Sequence, residues 1–158
     1  MPIKRRIYTS LSEYIIEAVK GVVYVSRYRK QFDNPEADTE FSQGVWIEIE
    51  ELNFEEGKGR QRKASGTLNF YVSYANYAQD HRTQNADSRT LDESLDDYDF
   101  EECIINALDK IYSKKENLDG LKSLEVKQSS EFLNTDALIV FKIVCEIETC
   151  EFKAECNC

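Results

Sequence analysis

The chain has 158 residues, 41% of them hydrophobic, and carries 30 acidic against 20 basic side chains for a formal net charge of −10. A chain of this length is expected to form one domain and to bury roughly 70% of its unfolded surface. The acid excess argues against gripping free nucleic acid, which needs cations to neutralise phosphates, but it leaves room for a protein that encircles duplex without holding it.

The opening Met1 to Arg6 is charged like the start of a signal peptide, but Ser10, Ser12, Glu13 and Glu17 break the apolar segment that should follow. Secretion is therefore not expected, and the site of synthesis is the cytosol, where thiols stay reduced. No run approaches the ~20 apolar residues of a membrane-spanning helix, so no membrane partner is expected. Leu11, Tyr14, Ile15, Ala18, Val19 and Val22 recur at three- and four-residue steps and predict a helix opening near Ser10. Ser10 with Glu13 reads as a capping box, and a cap of this kind contributes ~1 kcal/mol. Gly21 turns the chain into a β-branched and aromatic strand over 22–32.

A polar turn around Pro35 precedes a clear strand, with Val45, Ile47 and Ile49 facing one way and Trp46, Glu48 and Glu50 the other. The charged loop from Glu55 to Lys63 leads into Leu68, Phe70, Val72 and Tyr74 on alternate positions, which predicts a long antiparallel hairpin. The polar stretch 75–98 reads as a loop of unusual length, of the kind that is mobile or makes interactions. A second helix is expected near Asp99, capped by Asp99 and Glu102, with an inner stripe of Phe100, Cys103, Ile104, Ala107, Leu108 and Ile111. Asp119-Gly120 closes the connection after it.

A strand through Leu124 and Val126, a turn at Asn134-Thr135-Asp136 and a strand from Ala137 to Glu148 finish the fold. The last strand places Ile139, Phe141, Ile143, Cys145 and Ile147 on one face and Leu138, Val140 and Val144 on the other, as for a central strand or one covered by a neighbouring subunit. The expected architecture is α+β, a mostly antiparallel twisted sheet in the order α-β-β-β-α-β-β with two helices packed on one face. Residues 1–148 form the domain, and 149–158 a cysteine-bearing tail.

Chemistry-bearing residues are sparse. The only histidine, His81, lies beside Asp80 in the polar loop with no nucleophile or shaped pocket indicated, and there is no glycine-rich phosphate loop. Cys103 and Cys145 fall on apolar positions and read as small core residues. Cys145, Cys150, Cys156 and Cys158 supply four sulfurs without the paired spacing of structural zinc folds, so no metal is assigned. Asp92, Glu93, Asp96, Asp97, Asp99, Glu101 and Glu102 lack the ligand pattern of a calcium loop, and electrostatics at a helix start accounts for the later ones. No catalytic residue and no cofactor are expected.

Two surfaces remain. Tyr24, Tyr28, Trp46 and Tyr71 occupy the polar side of their strands and are candidates for a subunit or partner interface, although Trp46 could instead lie beneath a helix. Lys58, Arg60, Arg62 and Lys63 form a basic cluster at a predicted hairpin tip. They read either as a finger toward phosphates or an acidic partner, or as a solvated loop.

The segments Tyr28-Arg29-Lys30-Gln31-Phe32, Gly44-Val45-Trp46-Ile47-Glu48-Ile49 and Leu68-Asn69-Phe70-Tyr71-Val72, with the helix from Phe100 to Tyr112 and two closing strands, carry a likeness in topology. In this order the chain resembles the tail-terminator or tail-completion proteins of tailed bacteriophages over about residues 7–148. The long acidic loop and the cysteine tail depart from that pattern.

The resemblance implies a homo-oligomeric ring, a hexamer or larger, at the head–tail neck of a virion. Portal or connector and tail proteins would flank it, and duplex DNA would pass through its lumen without sequence-specific contact. Two rivals come from other classes: an acidic regulatory or inhibitor protein that mimics DNA charge, and a small enzyme with a cryptic pocket.

Overall fold

The computed structural model describes residues 1–33, 42–57, 61–75 and 96–153. It has the expected α+β order, two helices with a six-stranded mixed, mostly antiparallel open sheet. Helix α1 spans Ile3–Ala18, two turns earlier than the capping pattern at Ser10 suggested. The reason is that Ile3, Ile7, Leu11 and Ile15 extend the apolar stripe backwards at four-residue steps, and all four are buried. Pro2 precedes the helix, where the missing proline N–H costs nothing, and its carbonyl accepts from Arg5 and Arg6 at 3.0 and 3.1 Å. Ser10 is thus inside the helix, and its hydroxyl donates to the Ile7 and Asp119 carbonyls.

Strand β1 is short, Tyr24–Arg27, and pairs in parallel with β2, Gly44–Glu56. β2 turns back antiparallel onto β3, Gln61–Ala75. Helix α2, Asp96–Tyr112, follows, and then β4, Leu121–Asn134, and β5, Leu138–Thr149. β5 lies between β3 and β4, so the sheet runs β1-β2-β3-β5-β4. Its two-sided apolar pattern therefore belongs to a central strand. The turn before β5 is closed by Thr135, whose N–H donates to the Leu138 carbonyl at 2.8 Å and whose hydroxyl accepts from the Leu138 N–H at 3.0 Å.

Both helices cover one face of the sheet. Val45, Ile47, Leu68, Phe70, Val72, Ile143, Cys145 and Ile147 meet Ile7, Leu11, Ile15, Ile104, Leu108 and Ile111 in a single core. Tyr14 ties the helices together by donating to the Ala107 carbonyl at 2.8 Å. Cys103, expected on the inner stripe, is exposed instead: it falls at the rim of that stripe, which Ile104, Ala107 and Leu108 already fill. Cys145 is buried as expected, and burial, with Asp109 nearby, pushes its thiol up to about 12.

The expected tail does not simply leave the fold. Phe152–Lys153 forms β6 against Gln61 and Arg62 of β3, and Phe152 meets Phe54 at 6.2 Å between ring centroids. Of the long loop expected over 75–98, Ala75 ends β3 and 96–98 open α2; its other residues, His81 among them, lie outside the described ones.

Candidate functional site

The face of the sheet away from the helices holds the chemistry that strand alternation assigned to it. Val45, Ile47 and Ile49 point to the helices, so Trp46, Glu48 and Glu50 point away, as do Asn69 and Tyr71 across the ladder. A second apolar cluster forms there from Phe32, Trp46, Tyr71, Leu138 and Val140, with Tyr24, Tyr28 and Leu133 packed against it.

All four aromatic candidates come together in this cluster. Trp46 is held edge-on by Tyr24, with centroids 5.2 Å apart, and by Phe32 at 4.6 Å. Gly44 makes room for this packing: a Cβ there would stand 2.6 Å from the Trp46 ring. Tyr28 stacks on Tyr71 with centroids 3.8 Å apart and an 18° tilt, while Phe132 meets Tyr71 edge-on at 5.0 Å and Lys142 Nζ stands 5.7 Å from its centroid.

The arrangement is more enclosed than alternation alone implied. Trp46 is 2% exposed and Tyr71 4%, because the chain after β1 folds over the sheet and places Phe32 on them. Trp46 thus lies under a loop rather than under either helix. Tyr24 and Tyr28 stay half-buried, and among the described residues Phe132, 40% exposed, is the large apolar group this face offers to its surroundings.

Beside the rings lies a polar cluster. Tyr71 Oη donates to Glu48 Oε2 at 2.9 Å, and Asn69 Nδ2 donates to Glu48 and Glu50 at 3.0 and 2.7 Å. Burial, then the bond to Glu48, drives the Tyr71 phenol far above its ordinary range; burial and the 2.8 Å bond to Asp33 do the same for Tyr28. Both are neutral donors at any physiological pH. Asn69 is fully buried, and its Oδ1 has no hydrogen-bond partner among the described residues.

Toward the other end of the same face the residues turn acidic, with Glu125, Glu146 and Glu148, but lysines interleave them. Lys127 contacts Glu125 at 2.7 Å and Glu146 at 3.4 Å, and Lys122 reaches Glu148 at 3.5 Å.

Of the basic cluster, Arg62 and Lys63 lie on exposed positions of β3, opposite Glu56 and Glu55 of β2. Lys63 Nζ also stands 3.6 Å from Glu151. Lys58 and Arg60 lie outside the described residues, as do Cys156 and Cys158. Cys145 faces the helices from within the core and Cys150 is exposed just beyond β5.

Sequence reasoning missed Phe32, Phe132, Leu133 and Asn69. The signal for Asn69 was present, since it stands between Leu68 and Phe70 on a strand whose alternate face was already assigned. Phe32 was harder to see, because its edge-on partner Trp46 comes from another strand and only Tyr28, stacked with centroids 6.2 Å away, is local. No protein-family model matches this chain, and no curated protein matches it in sequence.

Proposed function

We propose that this protein is a non-enzymatic structural component of a tailed-phage virion, forming a ring at the head–tail neck as a tail terminator, completion or connector ring. One observation carries the reading: the sheet is open, and among the described residues no strand pairs with the outer margin of β4 or, beyond Ile47, with the edge of β2 that faces away from β3. Long unpaired margins are a liability for a free monomer and a resource for an assembly. Head-to-tail rings join two different patches of one subunit, here a sheet margin and the aromatic helix-free face. The reading also takes support from the resemblance of the sequence to that family.

In this reading the partners are copies of the chain, in a hexamer or a larger ring, with portal or connector and tail proteins above and below. Duplex passes through the lumen without sequence-specific contact. The protein is made in the host cytoplasm and resides at the head–tail junction, with no cofactor.

Light scattering with negative-stain microscopy tests this directly. Particles with a central hole, or a monomer that closes into a ring only on tails, support it. A monomer that binds neither itself nor tails overturns it. So does one that competes with DNA for a partner, which would favour the acidic mimic; the lysines set among the carboxylates of β4 and β5 weigh against that alternative.

A further inference from the structure

The chain leaves the sheet edge early. Tyr28 N–H donates to the Ile47 carbonyl at 2.9 Å, the last bond between this segment and β2. Lys30 then adopts φ 64° in a left-handed turn, and Phe32 crosses to the helix-free face. β2 continues to Glu56 without that neighbour. Backbone groups of alternate strand residues point the same way, so the N–H and C=O of Ile49, like those of Ile47, face outward.

What lies beside this vacated edge is a groove of about 620 Å³ between β2 and the first two turns of α1. Ile47, Ile49 and Tyr8 give it an apolar floor, and Tyr28 closes one end. Its charge runs against that of the molecule: Lys4, Arg5 and Arg27 line it, all exposed, and α1 has no acidic residue in its first turn. Glu48 also lines the groove, but its carboxylate is engaged by Asn69 and Tyr71.

We propose that this groove is a docking site for a short, extended, acidic segment of a partner protein, which adds as a strand to β2 in the line that β1 abandons. Three features select that occupant together. The free edge supplies main-chain hydrogen bonds, which only an extended peptide can satisfy in series. The three cations face carboxylates at positions one strand period from an apolar side chain seated on Ile47 and Ile49. Nucleic acid is a poorer fit, because it lacks the peptide N–H and C=O groups that pair with a strand edge. The proposal does not depend on the ring, since any partner bearing such a segment would serve.

The test is an amide-resolved NMR titration of the full chain with a capped hexapeptide, Thr-Glu-Thr-Val-Thr-Glu, against Thr-Lys-Thr-Val-Thr-Lys. The acidic peptide should shift the amides of Lys4, Arg5 and Ile49 saturably, and the basic one should not. Reversing the three exposed charges (Lys4→Glu, Arg5→Glu, Arg27→Glu) should weaken binding at least tenfold while leaving the aromatic face's shifts in place. Replacing the peptide's valine by N-methylvaline should weaken it similarly. Equal shifts from the basic peptide, from inorganic phosphate or from oligothymidylate would overturn the proposal. So would saturable binding of the acidic peptide that is indifferent to the charge reversal.

Discussion

Asn69 shows how a single side chain can be fully enclosed and still incompletely satisfied. Its amide N–H groups hold Glu48 and Glu50 together, while its Oδ1 has no partner among the described residues. Leucine at this position removes the orphaned acceptor along with the donors, and Glu48 and Glu50 can turn to water. Asn69→Leu should therefore stay within about 1 kcal/mol of wild type. Aspartate is different, because it puts a third carboxylate into a buried site beside two others.

Asn69→Asp should cost about 3 kcal/mol at pH 7. A carboxylate pushed up in the folded state destabilises when ionised, so the loss should shrink as pH falls toward 5 and the new side chain takes up a proton. Urea unfolding at the two pH values reads both effects. Phe132 makes a prediction of another kind. It is 40% exposed with a ring contact to Tyr71, so Phe132→Ser should leave the unfolding free energy within about 1 kcal/mol of wild type. Sedimentation velocity should nevertheless show weakened ring formation; unchanged assembly would remove this face from the proposed interface.

At the scale of elements, two joints hold the layers in place. The Arg6 guanidinium of α1 donates to both oxygens of Asp119, at 3.1 and 2.6 Å, in the turn before β4. That bond holds the Asp119 carboxyl below the usual carboxylate range. A depressed carboxylate contributes stability above its unfolded-state value and loses it as pH falls through the folded-state one. Asp119 is 65% exposed, so the contribution is screened and stays below about 1 kcal/mol. Asp119→Asn should show that small deficit at pH 7 and none near pH 2.

The second joint is the register shift of β2 between Ile49 and Glu51, opposite Leu68 and Thr67 and next to Gly66, the partner of Leu52. A Cβ on Gly66 would lie 1.9 Å from the Glu51 carbonyl oxygen, and backbone cannot yield as a side chain can. Gly66→Ala should cost about 1–3 kcal/mol and disturb hydrogen-exchange protection along the β2–β3 arm before that of β5.

These two elements also mark how legible the fold was. The hairpin could be read because alternating side chains announce a strand wherever one face is buried. The start of α1 was misplaced because Ser10 and Glu13 imitate a cap, while the isoleucines that extend the helix lie in a segment that looks like a charged leader. The bulge and the short β6 had no sequence signal, since each depends on what the opposite strand does.

For the whole molecule, the order of elements, the face each strand buries and the partition of aliphatic from aromatic and acidic side chains were determined by the sequence alone. They rest on periodicities of two and of three to four residues, which are local properties of the backbone. Only the tertiary structure decided that β5 lies at the centre, that the chain after β1 folds across Trp46 and Tyr71, and that among the described residues no strand follows β1 along the basic-flanked edge of β2. Those features come from contacts between residues far apart in the chain, where shape and burial choose among partners that local pattern leaves equivalent.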